Sequence, residues 1–287
     1  VRASLIQIAV DPDEPVDDRR ARVARLVREE RGAADLVVLP ELWPTGAFAY
    51  EAFAAEAEPL KGPTYGMMAA AARDAGVWLH AGSIVEKVPG TSTSTSSSGG
   101  GTTGPGAGAL YNTSLVFSPD GELVASYRKI HRFGFDKGEA VLMAAGEDLV
   151  TVDLPRLTVG VATCYDLRFP ELFRGLVDSG AEAFVIPAGW PARRRGHWTL
   201  LARARAVENQ AYVLACGTAG THADVEQAGH SIVVDPWGEV LAEAGPGEET
   251  LRVVVDPAKV ASTREQFPAL KDRVLGRGQG QNQGLAL

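Results

Sequence analysis

The sequence predicts an α/β protein built as a pseudo-duplicated, four-layer αββα sandwich, with two sheets face to face and helices outside. Three observations carry that expectation. Apolar, β-branched runs alternate with helix-like segments, the order of elements recurs in the second half, and the halves share local wording. Asp35-Leu-Val-Val-Leu-Pro40 parallels Glu182-Ala-Phe-Val-Ile-Pro187, and Pro119-Asp-Gly-Glu122 parallels Pro236-Trp-Gly-Glu239.

In the first half, residues 4–10 read as a buried strand, 16–32 as an amphipathic helix rich in Arg and Glu, and 35–39 as a second strand. Residues 64–76 form a helix ended by its glycine, and 77–86 and 110–117 are strands. A turn at Ser118-Pro119-Asp120-Gly121 then leads into a strand at 122–127. The second half repeats the plan: strand 157–163, helix 170–179, strand 183–186, helix 197–208, and strands 212–216 and 231–234. Asp235-Pro236-Trp237-Gly238 turns into a last strand at 239–242.

Residues 89–109 are almost entirely Gly, Ser, Thr and Pro, cannot bury apolar surface, and read as a flexible loop insertion. A domain linker is excluded because strands flank the stretch closely and the first half is incomplete without residues 110–127. One domain therefore spans 1–270. The Gly- and Gln-rich tail, 271–287, is either disordered or laid on a partner subunit.

A chain of 287 residues, 45% hydrophobic and 22% charged, can bury a sizeable core. Its net charge of −8 argues against a nucleic-acid partner, which would call for clustered Lys and Arg. No apolar run approaches the roughly 18 to 20 residues of a membrane span, and the start of the sequence runs into a strand without a signal-peptide pattern. A cytoplasmic protein is the simplest expectation. With only Cys164 and Cys216, neither a disulfide framework nor a zinc motif is expected.

Chemistry concentrates in three places. In Thr163-Cys164-Tyr165-Asp166-Leu167-Arg168-Phe169-Pro170-Glu171 an apolar strand ends at a cysteine and a helix begins a few residues later. Free N–H groups at a helix start favour a thiolate and can receive an oxyanion. An isolated cytosolic cysteine is more often a buried structural one, and Cys216, inside an apolar run, is read that way. In Leu39-Pro40-Glu41-Leu42-Trp43-Pro44 a glutamate ends a buried strand, which suits it to shuttle a proton near neutral pH. Taken alone it reads as a solvated loop carboxylate. Ala188 follows Pro187 where Glu41 follows Pro40, so the turn itself does not require a glutamate. In Tyr127-Arg128-Lys129-Ile130-His131 the lysine suits a fixed positive donor to an oxyanion, or a solvated edge. His131 invites pairing with Cys164 as a base and equally a structural hydrogen bond; spacing does not choose.

Together these motifs resemble the nitrilase superfamily, whose catalytic glutamate, lysine and cysteine occur in that chain order. The resemblance implies catalytic roles for Glu41, Lys129 and Cys164, and puts the family's second glutamate on Glu139 in Asp136-Lys137-Gly138-Glu139. It runs from residue 5 to about 256, interrupted at 89–109, and implies the αββα sandwich and homodimers or higher homo-oligomers. The implied reaction needs no cofactor and no metal: amide hydrolysis through a Cys164 thioester, with the Tyr165 N–H and Lys129 stabilising the oxyanion.

The wording Cys-Tyr-Asp-Leu-Arg-Phe-Pro-Glu, then Ala-Gly-Trp-Pro-Ala-Arg and His-Trp, is similar to the ω-amidase and deaminated-glutathione-amidase branch. That branch cleaves a terminal carboxamide on a small carboxylate-bearing molecule, so Arg193, Arg194, Arg195 and His197 become candidate substrate contacts. The arginines read equally as a solvated run at a helix start. The sequence departs from the branch at Cys216-Gly217-Thr218-Ala219, where a more polar asparagine-arginine stretch is expected. An N-carbamoyl amidohydrolase or a nitrilase with the same triad is the alternative enzyme. A catalytically idle binding scaffold is the alternative from another class.

Overall fold

Runs of Val, Ile and Leu form strands buried on both faces in the computed structural model, which describes residues 1–89 and 108–275. The chain begins β1 (Arg2–Gln7), α1 (Val16–Glu29), β2 (Leu36–Val38), α2 (Phe53–Glu56), α3 (Pro63–Ala75) and β3 (Trp78–Lys87). It continues with β4 (Leu110–Phe117), β5 (Leu123–Arg128), α4 (Glu139–Leu142), β6 (Val150–Leu154) and β7 (Leu157–Val161). Then come α5 (Pro170–Asp178), β8 (Ala183–Ala188), α6 (Arg195–Asn209), β9 (Tyr212–Gly217), β10 (Thr221–His222) and β11 (Val225–Glu226). The last elements are β12 (Ile232–Val234), β13 (Val240–Glu243), β14 (Glu249–Val254) and α7 (Ala258–Gln266).

Among the described residues, beside a two-stranded β10–β11 ribbon, two six-stranded sheets result, ordered β14-β1-β2-β3-β4-β5 and β13-β12-β9-β8-β7-β6. In each, three parallel strands (β1, β2, β3 and β7, β8, β9) sit between antiparallel flanks. Because side chains alternate along a strand, each sheet has two apolar faces to cover. Leu5, Val38, Val159, Val185 and Leu214 meet between the sheets. Ile6, Val37 and Leu79 pack outward against Val23 and Val27 of α1 and Met68 and Ala72 of α3. Phe184 and Val213 do the same against Phe173 of α5 and Trp198 of α6. Each such side chain contributes roughly 1.5–3 kcal/mol by leaving water. The four layers expected from the sequence are present.

Helix α3 stops where its glycine predicts. Gly76 has φ 69° and donates its N–H to Ala72 O at 2.8 Å, the left-handed cap that other residues adopt at a cost. Among the elements sequence reading missed, with the short α2 and α4, the β10–β11 ribbon and α7, are strands β6 and β14. Both lie against the first strand of a parallel trio, β6 on β7 and β14 on β1, so the end of the chain completes the first sheet. Where residues 89–109 leave and rejoin the β3–β4 ladder, Val88 donates to Ala109 O and Gly108 to Val88 O. The rest of that insertion, 90–107, and residues 276–287 of the tail lie outside the described residues.

Candidate active site

The parallel strands release their ends at one edge of the sandwich, the usual place for a site in such sheets. Past β2 the chain passes Pro40 into Glu41 and is pinned onto β3. Leu42 N–H donates to Ser83 Oγ at 3.0 Å, and Trp43 Nε1 donates to Ala81 O at 2.9 Å. Gly82 permits this approach, since a Cβ there would collide with the Pro40 carbonyl. Past β7 the chain turns sharply. Cys164, at φ 48°, opens a five-residue 3-10 turn, Cys164–Arg168, capped by the side chains of Thr163 and Asp166. A non-glycine residue in the left-handed region is strained, which here aims the thiol into the cleft.

Glu41, Lys129 and Glu139 form one buried chain of charge. Lys129 Nζ donates to Glu41 Oε1 and to Glu139 Oε2, each at 2.7 Å. Asn112 Nδ2 donates to the same carboxylates, at 2.8 Å to Glu41 Oε1 and 2.5 Å to Glu139 Oε1. Gly189 N–H donates to Glu41 Oε2 at 2.8 Å, and Phe133 N–H to Glu139 Oε2 at 2.7 Å. The Cys164 thiol donates to Gly189 O at 3.6 Å, so Glu41 and Cys164 are both held by the backbone of one residue, Gly189.

Burial alone would lower the Lys129 pKa, but Glu139 and Glu41 outweigh it and keep the ammonium well above its usual range. Burial, and less strongly the neighbouring Glu41 carboxylate, raise Glu139 against the pull of Lys129. Burial, then the Glu41 carboxylate, push the Cys164 thiol well above its ordinary range, against Lys129. Burial and Glu41 therefore work against the thiolate that a helix start favours, and the thiol lies beside a buried carboxylate and a buried ammonium.

These groups open into a cleft enclosing roughly 380 Å³, walled by Phe48, Tyr50, Phe133, Tyr165, Trp190 and Pro191. Burial, Glu139 and Glu41 push the Tyr50 phenol up to about 12. Of the three arginines named from the sequence, Arg194 lines the cleft, its guanidinium 5.3 Å from the Phe133 ring centre. Arg193 is exposed outside it, and Arg195 turns away to pair with Glu243 at 3.0 Å. His197 is also exposed outside the cleft; its Nδ1 lies 3.4 Å from Arg168. Arg168 does line the cleft, 4.8 Å over the Trp190 ring. His131 does not line the cleft; its Nδ1 meets Asp166 at 2.8 Å, and no hydrogen bond joins it to Cys164 among the described residues.

Sequence reading missed Asn112 and Arg168. Asn112 had a signal: it and Ser114 are polar residues on a face of β4 whose other members are Leu110 and Val116. Arg168 stood inside a quoted motif without a role. The departure at Cys216-Gly217-Thr218-Ala219 falls outside the cleft. Cys216 donates to Ile6 O and Val38 O between the sheets, and Thr218 is held by Ala188 O and Gln227.

A family model, carbon-nitrogen hydrolase, matches residues 2–265. The chain is 41% identical over 272 residues to a 2-oxoglutaramate amidase of Paenarthrobacter nicotinovorans, covering 93% of this chain and 87% of the relative. It is 35% identical over 281 residues to omega-amidase NIT2 of Mus musculus, covering 95% and 94%. Among solved structures, Saccharomyces cerevisiae Nit3, a member of branch 10 of the nitrilase superfamily, superposes with a TM-score of 0.81 at 32% identity. That likeness covers 95% of this chain and 96% of the other. With the family match running almost end to end, the chain belongs to the carbon-nitrogen hydrolases of the nitrilase superfamily and acts on amide bonds.

Proposed function

We propose that the protein is an ω-amidase, hydrolysing the terminal carboxamide of a small 2-oxo dicarboxylic acid. The observation that carries this reading is the pairing in one cleft of the Cys164–Glu41–Lys129 group with two arginines, Arg168 and Arg194. A carboxamide addresses the first, and a carboxylate the second through charge-assisted hydrogen bonds. The name of the 41% identical relative, 2-oxoglutaramate amidase, supports the same substrate class.

In the proposed mechanism Glu41 takes the thiol proton as Sγ attacks the amide carbon. Lys129 and the Tyr165 N–H stabilise the tetrahedral oxyanion. The intermediate collapses to a thioester while Glu41 returns the proton to the departing ammonia. A water molecule, deprotonated by Glu41, then attacks the thioester, and the carboxylic acid leaves as Sγ regains its proton. Glu139 and Asn112 hold Lys129 and Glu41 in place through both turnovers.

Ammonia release from an acidic 2-oxo monoamide, a neutral amide, a nitrile and a carbamoyl compound tests the reading. The acidic amide should be fastest, and Arg194→Ala should raise its KM about ten- to a hundredfold while leaving the neutral amide nearly unchanged. Preference for the nitrile or the carbamoyl compound would replace the ω-amidase assignment.

We also infer a homodimer or larger homo-oligomer, a cytoplasmic setting and a single hydrolase unit over 1–270 followed by the 271–287 tail. The exposed Leu200 and Val207 of α6, with Trp237 and Phe267, support self-association, which sedimentation measures directly. A free nucleophilic thiol supports a reducing compartment.

A further inference from the structure

Asp166 is fully buried, lies two residues past Cys164 and does not line the cleft. Its oxygens nevertheless accept four hydrogen bonds. Oδ1 takes the His131 backbone N–H at 3.0 Å and His131 Nδ1 at 2.8 Å. Oδ2 takes the Tyr127 hydroxyl at 2.7 Å and the Thr163 N–H at 2.8 Å. Three of these donors belong to the segment carrying Lys129 out of the first sheet. The fourth belongs to the turn that presents Cys164 from the second.

The segment has little freedom left. The Tyr127 hydroxyl accepts the Ile130 N–H at 3.3 Å, and the Lys129 N–H donates to Asn112 O at 2.9 Å. The His131 ring stacks on Phe169 with centroids 3.7 Å apart and planes 5° apart. Lys129 is thus the middle residue of five whose two ends are tied to one carboxylate on the nucleophile's own turn. A buried carboxylate that loses a donor is left with an unsatisfied charge, so the lattice holds together as a unit.

We propose that His131 and Asp166, with Tyr127, are positioning residues that lock Lys129 to Cys164 across the two sheets. On this reading the histidine serves as a fixed donor to Asp166 and never as the base for the thiol. The proposal rests on Cys164 as nucleophile and Lys129 as oxyanion donor. Cys164 Sγ and Lys129 Nζ must address the same carbonyl group, and misplacement by about 1 Å costs on the order of a hundredfold.

The experiment compares His131→Phe, His131→Asn and Asp166→Asn with wild type and Cys164→Ala. Melting temperature, kcat and KM on the best amide are read, together with the rate of Cys164 alkylation by iodoacetamide against pH. His131→Phe keeps the stack on Phe169 and loses the donor. Its kcat should fall about ten- to a hundredfold with KM within about twofold, and the alkylation profile should shift. His131→Asn supplies an amide donor in place of Nδ1 and should recover most of the loss. Asp166→Asn should lose at least as much as His131→Phe. Wild-type kcat in His131→Phe overturns the proposal. So does a loss that follows the melting temperature while the alkylation profile stays unchanged, or one that His131→Asn does not repair. Activity surviving in Cys164→Ala would instead overturn the functional reading beneath it.

Discussion

The two halves of the molecule repeat each other's scaffold and divide the chemistry between them. Ala3 pairs with Leu36 as Val159 pairs with Ala183. Asp35 accepts the Arg2 N–H at 2.8 Å, and Glu182 accepts the Thr158 N–H at 3.1 Å, at the matching place. Ser114 meets Thr163 across the sheets at 3.1 Å, and Ser231 donates to Gln7 across the same gap at 2.8 Å. Even the loops beyond the central strands agree: Pro40-Glu41-Leu42-Trp43-Pro44 against Pro187-Ala188-Gly189-Trp190-Pro191. The halves part where a side chain would do chemistry. Glu41 stands where the second half has Ala188, and Cys164 stands where the first half, in the same register, has Ile8. These hydrogen bonds occur twice, while each proposed catalytic group occurs once among the described residues.

The sharpest way to break that comparison is through the cysteines. Cys164→Ala should lower turnover by more than about a thousandfold with the fold intact. Cys216→Ala should leave turnover alone and cost stability of about 1 kcal/mol. Equal turnover in wild type and Cys164→Ala would mean that the difference between the halves has nothing to do with catalysis.

Next in size is Glu41→Ala, which gives the first half the second half's residue. Turnover should drop about 10²- to 10⁴-fold, the range of a lost general base, while circular dichroism stays native. Lys129 keeps Glu139 as a partner, so the charge left behind is still neutralised.

Each half also hides an imidazole, His80 and His222, whose Nε2 has no partner among the described residues. Burial pushes both down to about 4 from the ordinary 6.5. The unfolded chain therefore binds protons more readily across that window. The stability tied to each neutral ring is complete above about pH 6.5 and is lost as pH falls toward 4, at most roughly 3 kcal/mol apiece. Urea unfolding over this range should show the slope, and His80→Leu or His222→Leu should each reduce it. An unchanged slope in both variants would exclude them as its source.

The smallest effects belong to the matched turns. Ser118 Oγ accepts the Asp120 and Glu122 N–H groups at 3.3 Å each, whereas Asp235 Oδ1 accepts those of Trp237 and Glu239 at 2.8 and 3.0 Å and Oδ2 also holds Lys259. Asp235→Ala should cost about 2 kcal/mol and Ser118→Ala less than about 1 kcal/mol, read from denaturant midpoints. Equal costs would show that the turns contribute alike despite the added charge.

The scaffold was legible because burial on a regular lattice leaves a period in the sequence, and duplication printed that period twice. The weak spots were strands β6 and β14, half-exposed at the flank of a trio, where alternation is diluted by polar residues. Glu41, Lys129, Glu139 and Cys164 were named from motifs, and the fold gathers them around one cleft. Arg193, Arg194 and Arg195 could not be told apart in advance. Which of three consecutive residues faces inward depends on the exact residue at which a short 3-10 turn gives way to α6. His131 had two open readings for a similar reason, since spacing along the chain is silent about a partner brought in by the opposite sheet.

Strand β14 sets the order in which this molecule can be made. Arg2 pairs with Val254, so β1 waits for β14, made about 250 residues later, before its outer edge is covered. Contacts between such distant residues are slow to form, and an uncovered edge recruits other strands in the meantime. A nascent chain halted before residue 249 carries every group of the cleft, Glu41 through Arg194, yet exposes that edge along the whole of β1. Closure by β14 is therefore in a race with aggregation, and chaperone demand should fall once Glu249–Val254 has paired with β1.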